Sequence, residues 1–217
     1  MNDVRKPAAP AARTRERREG QREALVAAAE RLIAEGGLGA LKARELAREI
    51  GVALGALYNL VPDLDALAMQ VASRTLARME AFVLAESAAP DDADAGPATR
   101  LIRFAHAYRR FAAGNKQLWR ALFEHRSAVP RAVPEHLIED QRRLFAHVAG
   151  APRPLQPEAG EEEMFLLTRT LFGAVHGVVV LGLEEKLASV PAAALDNQLE
   201  WLVAAFCAGL ETMKIVR

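Results

Sequence analysis

Between Lys42 and Asp65 the chain reads KARELAREIGVALGALYNLVPDLD, and few folds accommodate it. Ala43, Leu46, Ala47 and Ile50 recur at offsets of three and four, which puts them on one face of a short helix. Gly51 follows where the chain has to turn sharply, and glycine takes positive φ without steric cost. Val52 is an apolar plug, and a second short helix is expected through Leu54, Leu57 and Tyr58 to about Val61. Pro62 ends it, because the residue before a proline is pushed out of helical angles. Helices that cross this closely need a small residue at the contact, and Ala47 supplies one. The pattern is that of a helix-turn-helix, in which the second helix enters a groove of DNA and the first braces it. An ordinary αα-hairpin inside a helical protein shares the same local spacing.

The rest of the chain is helical by similar logic. Alanine is abundant, leucine frequent and β-branched residues sparse outside one stretch, which favours helix. No run alternates apolar and polar residues clearly enough for a strand, so the expected fold class is all-α. A length of 217 residues, 51% hydrophobic and 26% charged, suits a globular protein with an ample core. Formal net charge is zero but unevenly placed: residues 1–62 hold eleven Lys/Arg against eight Asp/Glu, and residues 63–217 the balancing −3. A mildly basic module on an acidic body suits nucleic-acid contact through one end. The single cysteine, Cys207, excludes an intramolecular disulfide and a cysteine-rich metal site, and reads as a buried structural thiol. The N-terminus lacks a signal-peptide core, and the apolar run Leu171 to Leu183 is shorter than the ~20 residues that span a bilayer. A cytoplasmic protein without membrane contact is expected.

Residues 1–15 are expected to be a disordered N-terminal arm. Arg13, Arg15, Arg17, Arg18 and Arg22 crowd the approach to the first helix, either as a solvated tail or as an arm that reaches DNA. Residues 16–62 form the expected helix-turn-helix domain. Its first helix, about Glu16 to Glu35, presents Leu25, Ala28, Ala29 and Leu32 on one face and is stopped by Gly36 and Gly37. Residues 63–217 form the expected ligand-binding and dimerisation domain, entered by a connecting helix over 63–87 that Asp63 can cap. After an acidic break at 88–98, helices are expected at about 98–113, 115–127 and 134–149. A Pro-rich loop from Gly150 to Pro157 precedes two long helices at about 160–187 and 191–213.

The first long helix opens on Glu161, Glu162 and Glu163 and closes near Lys186, matching the helix dipole at both ends. Met164, Leu171, Val175 and Val178 line one side of it, and Phe165, Phe172, Val179 and Leu183 another. With no polar face it must be covered all round, and Gly173 and Gly177 would admit another backbone. In the last helix Leu195, Leu199, Leu202, Phe206 and Met213 form a stripe. The simplest burial is a homodimer in which these two helices pair with their copies as a four-helix bundle.

Taken together, Gly36-Gly37, Arg44-Glu45-Leu46-Ala47, Gly51-Val52, Leu57-Tyr58-Asn59, Pro62 and Asp65-Ala66-Leu67 resemble the TetR family of bacterial repressors over about residues 20–70. The C-terminal part is similar to a subgroup with a Trp…His-Gly regulatory domain, through Leu118-Trp119-Arg120, Phe123-Glu124-His125 and Val175-His176-Gly177. The chain departs from the family pattern at several places. Lys42 and Ala53 stand where Thr or Ser usually cap the second and third helices. Leu60 and Val61 replace an aromatic or His pair, and Leu64 a Lys that touches phosphate in relatives. These changes are expected to strip polar groups from the DNA side, giving weak binding or an unusual operator.

The candidate DNA-binding residues are Lys42 and Arg44 as phosphate contacts, Leu54, Gly55, Ala56, Tyr58 and Asn59 on the reading helix, and Arg15 and Arg18 in the arm. Tyr58 has the alternative of packing on the first helix, and Arg44 of pairing with an acidic neighbour. A ligand site is expected among the helices of the second domain, with Phe104, Tyr108, Phe111, Trp119, Phe123, His125, Phe172 and His176 as candidates. Most aromatics at helical spacing are core, and His176, in an apolar helix, has to bond something. His136-x-x-Glu139-Asp140 places a His and carboxylates on one face but equally suits a solvated surface, so no metal is assigned. No nucleophile elbow, phosphate loop or dinucleotide turn appears, so neither catalytic residues nor a cofactor are assigned.

The resemblance implies a homodimeric transcription regulator that binds palindromic double-stranded DNA and usually represses, released by a small apolar ligand. The rival is a dimeric helical ligand-binding or scaffold protein that has lost operator recognition, motivated by Leu60, Val61 and Leu64.

Overall fold

The structure is a computed structural model that describes residues 10–88, 95–124, 134–184, 191 and 194–213. Among them are nine α-helices, two 3₁₀ turns and no strand, so the chain is all-α as expected. The helices are α1 Pro10–Gly36, α2 Ala43–Glu49, α3 Leu54–Leu57, α4 Leu64–Ser87, α5 Pro97–Gly114, α6 Lys116–Glu124, α7 Glu135–Ala149, α8 Glu161–Leu183 and α9 Leu195–Thr212. They fall into two compact units. The first holds α1, α2, α3, α4 as far as Thr75, and α6; the second holds the remainder of α4 with α5, α7, α8 and α9.

The first unit is built on α1. Leu25, Ala29 and Ile33 of α1 bury with Leu46 and Ala47 of α2, Leu57 of α3, and Leu67 and Val71 of α4. The linear division of the sequence gave α6 to the second domain. It packs on α1 instead, because Leu118 and Ala121 on its apolar face join this same core. The first helix also starts earlier than expected, at Pro10 rather than near Glu16. Proline suits a first turn that needs no N–H, and Arg15–Glu19 adds an i,i+4 ion pair at 3.0 Å. Residues 10–15 are therefore helix; residues 1–9 of the expected arm lie outside the described residues. α1 stops at Gly36, and Gly37, at φ 72, turns the chain out of it.

The turn between α2 and α3 forms as the sequence requires. Gly51 has φ 67, and the Val52 N–H donates to the Ala47 carbonyl at 2.9 Å, which folds the chain back across the buried Ala47. Neither Lys42 nor Ala53 makes a side-chain cap bond. α3 is shorter than expected: α-helical geometry ends at Leu57, and residues 58–61 continue as turns, with Leu60 and Val61 N–H both donating to the Leu57 carbonyl. Asp63 caps α4 as expected, its Oδ1 accepting the Ala66 N–H at 2.7 Å.

Leu60 and Val61 correct the sequence reading. They are 7% and 2% exposed and belong to the core of the first unit, with Leu64 packed against it. Their apolar character takes no polar group from an outer face. The Leu60 carbonyl is also engaged, accepting a hydrogen bond from Arg22 Nε at 2.9 Å that ties α1 to the end of the turn.

In the second unit α9 packs on both α5 and α8, and α7 packs on α8. Leu195, Leu199, Val203, Cys207 and Leu210 form the buried stripe of α9, while Met213, expected in that stripe, is exposed. Arg109 of α5 holds Asp196 of α9 through Nε at 2.5 Å and Nη2 at 3.0 Å. The buried line of α8 is Met164, Thr168, Leu171, Val175 and Val179. Glu163 accepts the Gly160 N–H at 2.8 Å, so the acidic first turn caps the helix. The helix ends at Leu183 with no basic residue in its last turn, and Lys186 lies outside the described residues. By length and composition α8 is apolar enough to cross a membrane; one line of it is buried in this unit and the rest is half-buried or exposed. Within this unit the Leu195 side chain closes on Gly182, where a Cβ would lie 2.6 Å from it, whereas Gly173 and Gly177, expected to admit another backbone, face open space within the chain.

Two substitutions test this account. Gly51→Ala should destabilise the chain by about 1–2 kcal/mol, since a Cβ is strained at positive φ. Val61→His, which restores a family-like residue at a position that is 2% exposed, should cost roughly 1–3 kcal/mol for burying an imidazole. Thermal melting of each variant checks both.

Candidate nucleic-acid interface and ligand cavity

Because Leu57, Leu60 and Val61 face inward, the residues between and before them face outward. Leu54 is 39% and Tyr58 47% exposed, Gly55 and Asn59 are exposed, and Ala56 is half-buried. Tyr58 is thus not packed away against α1. Lys42 and Arg44, at the start of α2, are exposed as well; Lys42 lies 4.0 Å from Glu45, and Arg44 makes no ion pair among the described residues. Arg15, Arg18 and Arg22 of α1 line one cleft together with Asn59 and Leu60. Of the arginines expected in the arm, Arg22 is committed to the Leu60 carbonyl and Arg15 pairs with Glu19. The outcome is a surface of one aromatic hydroxyl, one amide and several cations on a rigid support. Such groups bond phosphate oxygens and base edges.

The second unit contains a cavity of about 70 Å³ between α4, α5, α7, α8 and α9. Phe104, Tyr108 and Phe172, all expected there, line it. Among the described residues its only lining hydroxyls are those of Tyr108 and Thr168. Thr168 Oγ1 is committed to the Met164 carbonyl at 2.8 Å, and the Tyr108 hydroxyl lies 2.7 Å from His176 Nδ1. His176 is thus the satisfied histidine that an apolar helix demands. Its ring also stacks on Phe172, with centroids 5.7 Å apart, and burial pushes its pKa below the ordinary 6.5.

The other expected residues lie elsewhere. Phe111 is fully buried against Phe82, with ring centroids 5.7 Å apart. Trp119 and Phe123 pack on each other within the first unit, because α6 folds onto α1. His125 lies outside the described residues. Missed in the sequence were, among others, Met79 and Val83 of α4, and Leu144, Phe145 and Val148 of α7, which also belong to the cavity wall. Their signal was an apolar pair four apart on each helix, which shows a buried face without showing that a cavity borders it.

Next to this wall, Glu80 of α4 takes a bidentate bond from Arg143 of α7, at 2.8–3.0 Å, and lies 3.0 Å from His147 Nε2. The Arg143 hydrogen bonds hold the Glu80 carboxyl below its usual range. Arg143 also reaches Asp140 at 3.2 Å, which explains that carboxylate without a metal. No group of three metal-ligating side chains occurs among the described residues.

The lowered His176 pKa sets the sign of a pH effect. The unfolded chain takes up this proton before the folded one does, so stability should fall as pH drops through about 6.5 and level off below the folded-state value. His176→Gln should remove that portion of the pH dependence, as read by urea melts at pH 8, 6.5 and 5.5.

Comparison with known proteins agrees with this arrangement. Residues 25–60 match the family model described as bacterial regulatory proteins, tetR family, and residues 101–206 match that of the Tetracyclin repressor-like C-terminal domain. The latter description is not that of the Trp…His-Gly subgroup, so that finer resemblance rests on the quoted residues alone. No curated protein matches the sequence. Among solved structures, a protein of unknown function from Rhodococcus sp. RHA1 is similar at a TM-score of 0.69 and 20% identity, covering 98% of this chain and 100% of that one. The TetR family transcriptional regulator PfmR from Thermus thermophilus aligns at 0.57 and 16%, over 86% and 98%. A putative TetR family regulator from Vibrio parahaemolyticus aligns at 0.57 and 25%, over 85% and 97%. The two family models between them cover most of the chain, and its fold is that of these structures: the protein belongs to the TetR family of bacterial transcription regulators.

Proposed function

We propose that this regulator is a homodimeric repressor that reads a palindromic operator with α3 and the turn after it, and leaves DNA when a small, largely apolar ligand enters the second unit. The carrying observation is the outward Leu54, Tyr58 and Asn59 on a segment whose Leu57, Leu60 and Val61 are core. Tyr58 and Arg44 serve as phosphate contacts with Lys42, Arg15 and Arg18. Asn59 serves as a base or phosphate contact, and Leu54, Gly55 and Ala56 form the apolar part of the face. The reading in which operator recognition is lost rested on Leu60, Val61 and Leu64; the inward packing of Leu60 and Val61 weighs against it, while Leu64 still stands where relatives carry a lysine.

Dimerisation through α8 and α9 is supported by what the single chain leaves uncovered. Leu166 and Leu181 of α8 are 55% and 52% exposed, Trp201 of α9 is 67% exposed, and Gly173 meets nothing within 4 Å. Large apolar side chains exposed on helices whose opposite line is buried call for a partner, and a two-fold copy would present two reading heads to a palindrome. The ligand acts by binding the released conformation better than the DNA-bound one. A regulator of this kind works in the cytoplasm.

The test is a titration of the purified protein against its own upstream DNA and a scrambled duplex at two salt concentrations. Selective binding to the upstream fragment is expected. Asn59→Ala should cost about 1–3 kcal/mol if it reads a base, and Arg44→Ala should weaken all sequences alike and reduce the salt slope by about one. Salt-sensitive binding that is equal on both duplexes, or none at low salt, would overturn the proposal. Trp201→Glu should convert the dimer to monomer in sedimentation, and a wild-type monomer at micromolar concentration would refute the interface.

A further inference from the structure

The apolar cavity has a polar annex. Leu84, Ser87, Arg100, Phe104, His147 and Ala151 line a cleft of about 330 Å³. Along each helix its residues alternate with those of the cavity. Val83 lines the cavity and Leu84 the cleft; Leu101 the cavity and Arg100 the cleft; Val148 the cavity and His147 the cleft; and Phe104 lines both. The two spaces thus adjoin across one half-buried phenyl ring.

Among the described residues Arg100 has no counter-ion. Its Nε is buried and finds no hydrogen-bond partner, and no ion pair holds its guanidinium among the described residues. The neighbouring charges are already paired: Glu80 with Arg143 and His147, and Glu86 with Arg110 at 3.0 Å. Ser87 Oγ donates to the Val83 carbonyl at 2.6 Å. A buried Nε–H that lacks an acceptor is costly, and the planar fork of the guanidinium matches a carboxylate.

We infer that the effector is a monocarboxylic acid with an apolar body, its carboxylate on Arg100 in the cleft and its hydrocarbon passing Phe104 into the cavity. This rests on the reading of the second unit as the effector site and specifies its ligand class. At about 70 Å³ the inner space is roughly half the 150 Å³ of a dry cavity that takes benzene. The body therefore fills both spaces, and the Phe104 ring turns aside to admit it.

Titration calorimetry of octanoate and octan-1-ol against the full chain at pH 8, without DNA, tests this directly. Octanoate should bind at least tenfold more tightly than the alcohol. Arg100→Gln should bring octanoate down to the level of the alcohol, and Arg100→Lys, which keeps the charge, should retain part of the difference. Ala105→Leu, which fills the cavity, should weaken both ligands. Melting curves establish that each variant is folded. Equal affinity for acid and alcohol, an unchanged octanoate affinity in a folded Arg100→Gln, or no binding of octanoate would each overturn the inference. Because DNA is absent from this assay, its failure beside a successful operator titration would sink the ligand class and leave the regulator reading standing.

Discussion

The first unit depends on one crossing. α2 and α3 meet over Ala47 because Gly51 takes a positive φ and Val52 N–H closes on the Ala47 carbonyl. Once that turn is fixed, Leu46 and Leu57 are delivered together to α1, and the orientation of every residue around Leu57 follows. α3 is only four residues long and neither short helix has a side-chain cap, so intrinsic helix stability contributes little. Packing on α1 does the holding. The same packing decides what faces out: burial of Leu57, Leu60 and Val61 leaves Leu54, Tyr58 and Asn59 as the presented edge. Recognition chemistry on this unit is a by-product of which side chains the core does not take.

A different constraint governs α8. Its line Met164, Thr168, Leu171, Val175 and Val179 is covered within the chain, whereas Leu166 and Leu181 are not. Trp201 on the outer side of α9 stands equally uncovered. Periodicity showed that α8 has no polar face and therefore needs cover on several sides. It did not distribute that cover between α9, α7 and a second copy, because each neighbour leaves the same apolar signature. The glycines illustrate the point: inside the chain Gly182 is covered by the Leu195 side chain, while Gly173 and Gly177 meet nothing within 4 Å.

Existence and type of the helices were legible throughout, since they rest on long runs of 3.6-residue spacing and on Gly and Pro stops. What failed were inferences about the destination of a side chain. Trp119 and Phe123 read as lining a ligand site and belong to the other unit, because α6 folds onto α1 rather than onto its neighbours in sequence. Leu60 and Val61 read as losses from an outer face and are core, because at three and four residues after the buried Leu57 they share its inward face. For His176 the need for a partner was legible, since an imidazole in an apolar helix must bond something and the Tyr108 hydroxyl lies 2.7 Å from its Nδ1; its place beside the cavity rather than among the lining residues was not.

α4 carries the consequence for function. Met79 and Val83 line the cavity, Leu84 and Ser87 line the annex, and Glu80, between them, is clamped by Arg143 and His147 of α7. A ligand that wedges α4 away from α7 has to loosen a bidentate ion pair whose carboxylate is mostly buried, and its affinity is reduced by that amount. A ligand that enters past Phe104 leaves the clamp intact and can shift α4 only through the pressure of its hydrocarbon on Met79 and Val83. On the proposed reading of the second unit, the clamp makes the route past Phe104 the less costly one. Those that keep it closed bind at the lower cost, and those contacts with α4 are where any difference in affinity between two positions of the helix has to arise.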